Sequence, residues 1–128
     1  MSSKAFDLED RLVDFSSRVV DVVEALPDSR AGNYIAGQLI RCGLAPALLY
    51  GEAQSAESRN DFIHKMKIVL KELKETRVCL KLIRKKEMIK PVSRMDDIKN
   101  ENEELIAIIA KSIETANKNI HLLNKKNN

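Results

Sequence analysis

The chain has 128 residues, of which 44% are hydrophobic and 32% are charged, with four glycines, three prolines and two cysteines. A disordered tail would have fewer Leu, Ile and Val residues, and a collagen-like or linker segment would have far more Gly and Pro. Two cysteines are too few for a disulfide-rich secreted module, and charges interrupt every apolar stretch before the roughly 18–20 residues that cross a bilayer. The first residues lack the apolar centre of a secretory signal. We therefore expect a cytoplasmic helical interaction domain that has no contact with a membrane.

The net charge of +3 is distributed unevenly along the chain. Residues 1–29 carry −4, residues 30–61 are neutral, residues 62–95 carry +8 and residues 96–128 carry −1. Nearly all of the basic character lies in one segment, so an anionic partner is expected to bind there.

An apolar stripe predicts the first helix, because its members recur at spacings of three and four: Ala5, Leu8, Leu12, Phe15, Val19, Val22 and Leu26. A second apolar row beside it consists of Phe6, Val13 and Val20. Together the two rows are wider than one neighbouring helix can cover, so we assign the second row to an oligomer interface. The helix is expected to end near Leu26, because Pro27 disfavours helical geometry in the residue before it.

The second segment, from about Ser29 to Ala53, has poor helix propensity because it contains all four glycines and Pro46. An interior proline removes one backbone hydrogen bond and clashes with the preceding turn, so we expect a kink or a break around Leu44 to Ala47. The small residues are interpreted as points where another helix approaches closely, in preference to a ligand site.

In the third and fourth segments, apolar residues again recur at spacings of three and four residues. The third stripe comprises Phe62, Met66, Val69, Leu73, Thr76, Leu80 and Ile83. Ser58 or Asn60 is expected to cap this helix, which would run to about Ile89 before Pro91. The fourth helix is expected to begin at Asp96 or Asp97, and its stripe comprises Ile106, Ile109, Ile113, Ala116, Ile120 and Leu123.

Four amphipathic helices joined by short polar loops predict an all-α fold, an antiparallel up-and-down four-helix bundle. We expect residues 1–128 to form one domain, with a frayed polar tail at residues 124–128.

The third helix is the candidate site, because its basic residues recur at spacings near three, four or seven: Lys67, Lys71, Lys74, Lys81 and Lys85, extended by Arg77 and Arg84. Such a stripe can contact phosphates of RNA or DNA over about 25–30 Å. Exposed lysines are also often only solubilising, and acids of the first helix, such as Asp10 and Asp14, offer a different partner in this or a neighbouring subunit. Because aromatic residues are almost missing from the segment, sequence-specific recognition of single strands is not expected.

Motifs for catalysis or cofactor binding are weak in this sequence. Asp61 and His64 have the carboxylate–His spacing of di-iron bundles, but the second such motif is missing, so a surface or capping role is predicted. Cys42 and Cys79 fit no metal or redox spacing and are expected to be reduced and packed. The glycines form no phosphate-binding loop. We therefore predict a non-enzymatic module with no cofactor and no metal.

A family resemblance lies in the second and third helices, in the run QLIRCGLAPALLYGEAQSAESRNDFIHKM from Gln38 to Met66 and in LKELKET from Leu70 to Thr76. These residues resemble the four-helix-bundle family that is encoded in intervening sequences of bacterial 23S ribosomal RNA genes, often labelled a ribosomal protein family. Where that family usually has Asn-Tyr-Glu-Glu-Ala, this chain has Leu49-Tyr50-Gly51-Glu52-Ala53. The Asn and the first Glu of the family pattern are therefore absent.

The resemblance implies a four-helix bundle that assembles as a homo-oligomer, typically a pentamer, with no assigned enzymatic activity. The chain is also similar to the accessory protein of diversity-generating retroelements, a basic pentamer that binds nucleic acid and a reverse transcriptase. RNA or DNA binding through the third helix is therefore our leading hypothesis, and the alternative is a structural scaffold that binds a protein partner.

Overall fold

The computed structural model describes residues 7–127 of the protein. These residues form four α-helices: α1 (Leu8–Ala25), α2 (Arg30–Gln54), α3 (Arg59–Lys85) and α4 (Asp96–Asn127), with a 3-10 turn at Val92–Met95. Helix α1 packs on α2, α2 on α3, α3 on α4, and α4 returns to α1. The predicted four-helix bundle is thereby confirmed.

Serine and aspartate side chains begin the first three helices by accepting hydrogen bonds from backbone N–H groups that have no partner inside the helix. The Asp7 carboxylate accepts from the N–H of Asp10 at 3.1 Å. The Ser29 and Ser58 hydroxyls each accept from the N–H group three residues later, in both cases at 3.0 Å. The cap of α3 is therefore Ser58, one of the two residues that the sequence offered.

The predicted apolar stripes form the core. Fully or almost fully buried side chains come from all four helices, including Leu12, Phe15, Val19, Leu39, Met66, Leu73, Leu80, Ile83, Leu105 and Ile109. The exception is Leu123, the last member of the predicted α4 stripe, which is 48% exposed. Ala5 and Phe6 lie outside the described residues.

Helix α2 runs without interruption through Pro46, so of the predicted kink or break around Leu44 to Ala47 the break does not occur, and the kink stays a prediction. A proline inside a helix costs about 3 kcal/mol through one lost hydrogen bond and a clash with the preceding turn. Pro46 is buried, and packing of α2 against both α1 and α3 holds the helix together across this position.

Helices α1 and α2 come into close contact at Gly43. A Cβ atom added to Gly43 would lie 2.6 Å from a methyl group of Val19, and the Ser16 hydroxyl donates to the Gly43 carbonyl at 3.3 Å. Gly43 therefore serves helix packing, as predicted for the small residues of this segment, whereas an added Cβ atom at Gly37 or Gly51 would have no other atom within 4 Å.

Helix α3 ends at Lys85, four residues before the predicted end near Ile89. Glu87 adopts a left-handed backbone conformation with φ of 49°. The N–H of Met88 then donates to the Ile83 carbonyl at 3.0 Å, and that of Glu87 donates to the Arg84 carbonyl at 3.1 Å. This pair of bonds is the Schellman motif, which terminates helices and normally has glycine at the left-handed position. Because glutamate is not a recognised stop signal, the sequence placed the end too late.

Replacing Glu87 with glycine is expected to raise the free energy of unfolding by about 0.5–1 kcal/mol, because a left-handed conformation is strained for every residue with a Cβ atom. Urea denaturation followed by circular dichroism measures the change. Glu87→Ala is the matched control, since it removes the same charge and keeps the strain; equal stability of the two variants would contradict the backbone explanation.

Helix α4 continues to Asn127 and so includes most of the segment for which fraying is predicted. Fraying itself stays a prediction. None of the helices within residues 7–127 combines the length and the apolar character that a bilayer-spanning helix requires.

Candidate nucleic-acid interface

Five lysines lie on the face of α3 that points away from the core. We call Lys67, Lys71, Lys74, Lys81 and Lys85 the lysine stripe. All five are exposed, while the opposite side of the same helix contributes buried residues such as Leu73, Thr76 and Leu80. Within residues 7–127 none of the five forms an ion pair. From Lys67 to Lys85 the stripe is about 27 Å long at the helical rise.

The two arginines of the predicted site are instead paired with acids of α4. The Arg77 guanidinium donates to both carboxylate oxygens of Glu103, at 2.6 and 3.2 Å. Arg84 donates to the Asp96 carboxylate at 3.2 Å. The hydrogen bond from Arg77 lowers the pKa of the Glu103 carboxyl. The structure therefore separates the seven predicted residues into five unpaired lysines and two arginines whose charge is balanced.

Apolar side chains interrupt the lysine stripe. Val78 lies between Lys74 and Lys81 along the helix and is 54% exposed, and Leu82 beside it is 46% exposed. Shallow grooves on both sides of Val78 are bordered by the lysines. This apolar part of the surface was not predicted, although Val78 lies four residues after Lys74 and three before Lys81, a spacing that places it on the same face of α3.

A polar cluster joins α2 to α3 around Arg41. Its guanidinium donates to Glu72 at 3.2 Å, to Glu75 at 2.5 Å and to the Gln38 side chain at 3.4 Å. Glu72 is buried, and the Thr76 hydroxyl donates to the Glu72 carbonyl at 2.9 Å. The hydrogen bond and the charge of Glu75 raise the pKa of Arg41. These five residues all lie in the segments that carry the family resemblance, and in this chain they join α2 to α3.

The two cysteines are neighbours next to this cluster, although 36 residues separate them in sequence. Both are free thiols; Cys42 is buried and Cys79 is partly buried. A hydrogen bond from Cys79, helped by Thr76 and Arg41, lowers the pKa of the Cys42 thiol to about 7. The same bond raises the pKa of Cys79, which keeps its proton. The predicted reduced and packed state agrees with this arrangement.

Among residues 7–127 no group of three or more His, Cys, Asp and Glu side chains is placed to hold a metal ion. The Asp61 carboxylate instead accepts from Lys65 at 3.3 Å, and His64 is exposed. Asp61 and His64 thus have the surface positions that the sequence predicted.

The predicted oligomer-interface residues are accessible where the structure describes them. Val13 is 54% exposed and Val20 is partly exposed on the outer side of α1. Phe6, the third of the predicted residues, lies outside the described residues.

Comparison with known proteins agrees with the four-helix fold. The family model of the 23S rRNA-intervening sequence protein matches residues 5–111. A crystal structure of a protein with unknown function from the S23 ribosomal protein family of Bacteroides thetaiotaomicron is 30% identical, with a TM-score of 0.76, and the match covers 82% of this chain and 96% of that chain. No curated protein matches the chain. The chain therefore belongs to the 23S rRNA-intervening sequence protein family.

Proposed function

We propose that this chain is a non-enzymatic, homo-oligomeric helical bundle that binds the phosphate backbone of RNA or DNA through the lysine stripe. The observation that carries the proposal is the exposure of five lysines along one line, none of them paired with an acid of residues 7–127. Each unpaired ammonium group can neutralise one phosphate and release a condensed counterion.

The absence of aromatic residues from the exposed face of α3 between residues 67 and 85 favours backbone contacts over base recognition. Unstacked bases are usually held on aromatic side chains, whereas phosphates require only charge and hydrogen-bond donors. We therefore expect little sequence preference and a strong dependence of affinity on salt.

The proposal is tested by measuring binding to a fluorescein-labelled RNA duplex and a DNA duplex across a salt series. If the five lysines each contact one phosphate, log K falls with log salt at a slope of about −4 to −5. Changing Lys67, Lys71, Lys74 and Lys81 to Gln is expected to reduce that slope to about −1 and to abolish detectable binding at physiological salt.

The matched control changes four other exposed lysines to Gln: Lys90, Lys111, Lys118 and Lys125. Both variants have the same net charge, so a difference between them reports the position of the charges. Equal slopes for the two variants, or no binding by the native protein, would rule out the lysine stripe as the nucleic-acid site.

Val78 and Leu82 support a second candidate function, a scaffold that binds an acidic protein partner through the same surface. Apolar side chains among lysines add contact area for a protein, whereas they contribute nothing to phosphate binding. This alternative becomes the leading function if the native protein shows no salt-dependent binding to either duplex.

Self-association belongs to the same proposal. Exposed Val13, with Val20 beside it, supports a contact between copies on the outer side of α1. The pentamer that the family resemblance implies stays a prediction, and light scattering that reports a 14.5 kDa monomer at micromolar concentration would overturn the oligomer.

A further inference from the structure

Two thiols are in contact where α2 packs on α3. Cys42 is buried on α2, Cys79 is partly buried on α3, and a hydrogen bond joins their side chains. The surroundings of this pair are polar, because the Thr76 hydroxyl and the Arg41 guanidinium both lie beside Cys42. The proposed nucleic-acid interface makes no use of either sulfur, so the contact between them calls for a separate explanation.

We propose that Cys42 and Cys79 form a site of reversible oxidation, at which hydrogen peroxide converts the two thiols into a disulfide that links α2 to α3. Sulfur atoms that are already in contact across two packed helices need only small side-chain movements to reach the S–S bond length of about 2 Å. This oxidation does not depend on the nucleic-acid function proposed above.

The pair holds a thiolate near neutral pH, and the thiolate is the form of cysteine that reacts with a peroxide. The hydrogen bond from Cys79, with smaller contributions from Thr76 and Arg41, lowers the pKa of the Cys42 thiol to about 7. Cys42 has no exposed surface, whereas Cys79 is partly exposed. Transfer of the proton from Cys79 to Cys42 places the thiolate on the accessible sulfur, and the Cys42 thiol can then donate to the Leu39 carbonyl at 3.9 Å. Cys79 is therefore the sulfur that meets the oxidant.

The oxidation consists of two displacements at sulfur. The Cys79 thiolate attacks one oxygen of hydrogen peroxide, an S–O bond forms, the O–O bond breaks, and the departing hydroxide takes a proton from solvent to become water. The Cys42 sulfur then attacks the resulting sulfenic acid, the S–S bond forms, the S–O bond breaks, and the Cys42 proton leaves with the hydroxyl group as a second water. The two sulfurs lose two electrons, and these reduce one peroxide to two waters.

The disulfide would reinforce a contact that the fold already makes. Arg41, the residue before Cys42, donates to Glu72 and Glu75 and so joins the same two helices through polar side chains. A covalent bond at the neighbouring position closes a loop in which 36 residues lie between the cysteines, and such a loop reduces the conformational freedom of the unfolded chain. Oxidation is therefore expected to stabilise the bundle, and a dithiol such as dithiothreitol is expected to reverse the effect.

The test is oxidation of the full chain by hydrogen peroxide at neutral pH, followed by alkylation of the remaining thiols and digestion with trypsin in the absence of a reductant. Trypsin cleaves after Lys and Arg, so Cys42 lies in the peptide 42–59 and Cys79 lies in the peptide 78–81. The expected product is these two peptides joined to each other, from a chain that has lost the mass of two hydrogen atoms. Dithiothreitol is expected to restore two thiols that can be alkylated.

Thermal unfolding followed by circular dichroism measures the consequence for stability. The oxidised chain is expected to melt about 10 °C above the same sample treated with dithiothreitol. Cys79→Ser is the matched control, because it keeps the four methionines and the buried Cys42 but cannot form the link. Its melting temperature is expected to be the same before and after peroxide treatment.

The folded structure is expected to accelerate the reaction, because it holds the two sulfurs together. Linking of the native chain is therefore expected to be at least about tenfold faster than linking of the chain unfolded in urea. Equal rates would overturn the site, and so would a linked chain that melts at or below the temperature of the reduced chain.

Three products would also contradict the proposal: two thiols that remain free after peroxide treatment, a sulfinic acid on Cys79 without a link to Cys42, or links between chains only. The salt series with labelled duplexes is carried out in dithiothreitol, which keeps both cysteines reduced. Failure of the oxidation and failure of the nucleic-acid function are therefore distinguishable.

Discussion

Replacing Leu73 with alanine is expected to lower the free energy of unfolding by about 2–5 kcal/mol, the range for a fully buried leucine. The Leu73 side chain has no exposed surface. On the facing helix, the buried Asn102 side chain donates to the Leu73 carbonyl at 3.1 Å, so the neighbouring backbone is held in place. Because the surrounding groups cannot move in to fill the space, the free-energy cost of the cavity adds to the cost of the lost apolar burial.

Leu82→Ala is the matched control for this experiment, since it makes the same chemical change on the same helix at a side chain that is 46% exposed. Its expected effect is below about 1 kcal/mol, because surface substitutions change stability little. Urea denaturation of both variants measures the difference. A change of less than about 0.5 kcal/mol for Leu73→Ala would mean that the assigned inner face of α3 is wrong.

Gly43→Ala is expected to destabilise the bundle by about 1–2 kcal/mol, although alanine is the better helix former by about 1 kcal/mol. The new Cβ atom would meet Val19 at 2.6 Å, and a β-branched side chain in a helix has essentially one rotamer. Helices α1 and α2 must therefore separate, and the loss of packing outweighs the gain in helix propensity.

Gly37→Ala in the same helix measures the gain in helix propensity without the loss of packing, because no other atom lies within 4 Å of a Cβ atom at that position. It is expected to stabilise the protein by up to about 1 kcal/mol. Val19→Ala combined with Gly43→Ala is expected to cost less than the sum of the single changes, since the smaller side chain makes room. Additive effects would contradict the close contact between the two helices.

The inner faces of the helices were predictable because burial follows the helical period. Leu12, Phe15 and Val19, and likewise Leu73 and Leu80, are buried where their spacing predicted. Helix starts were predictable too, since serine has a specific physical role as a cap. The end of α3 was not, because Glu87 adopts the left-handed backbone conformation at which glycine is the usual residue.

Which basic residues of α3 form ion pairs and which do not could not be predicted from the sequence. Whether Arg77 and Arg84 are paired depends on which acids α4 places beside them, and those acids are 26 and 12 residues away in the chain. The helical period predicts the face of a residue on its own helix, but it does not predict the register between two helices. The same limit applies to Cys42 and Cys79, whose proximity depends on how α2 and α3 are aligned.

Helices α1 and α3 each pack on α2 and α4 and so lie at diagonal corners of the bundle. Exposed acids on the outer side of α1, such as Asp10, Asp14 and Asp21, and the lysine stripe on α3 therefore give the bundle an electric dipole moment across its long axis. A polyanion that approaches from any side exerts a torque on such a molecule and turns α3 towards itself before contact. The two molecules then need less time to find the orientation in which they bind. The rate of association therefore depends on the arrangement of charge as well as on the small net charge of +3. Two chains with the same composition but with these charges shuffled around the surface would lack this orientation.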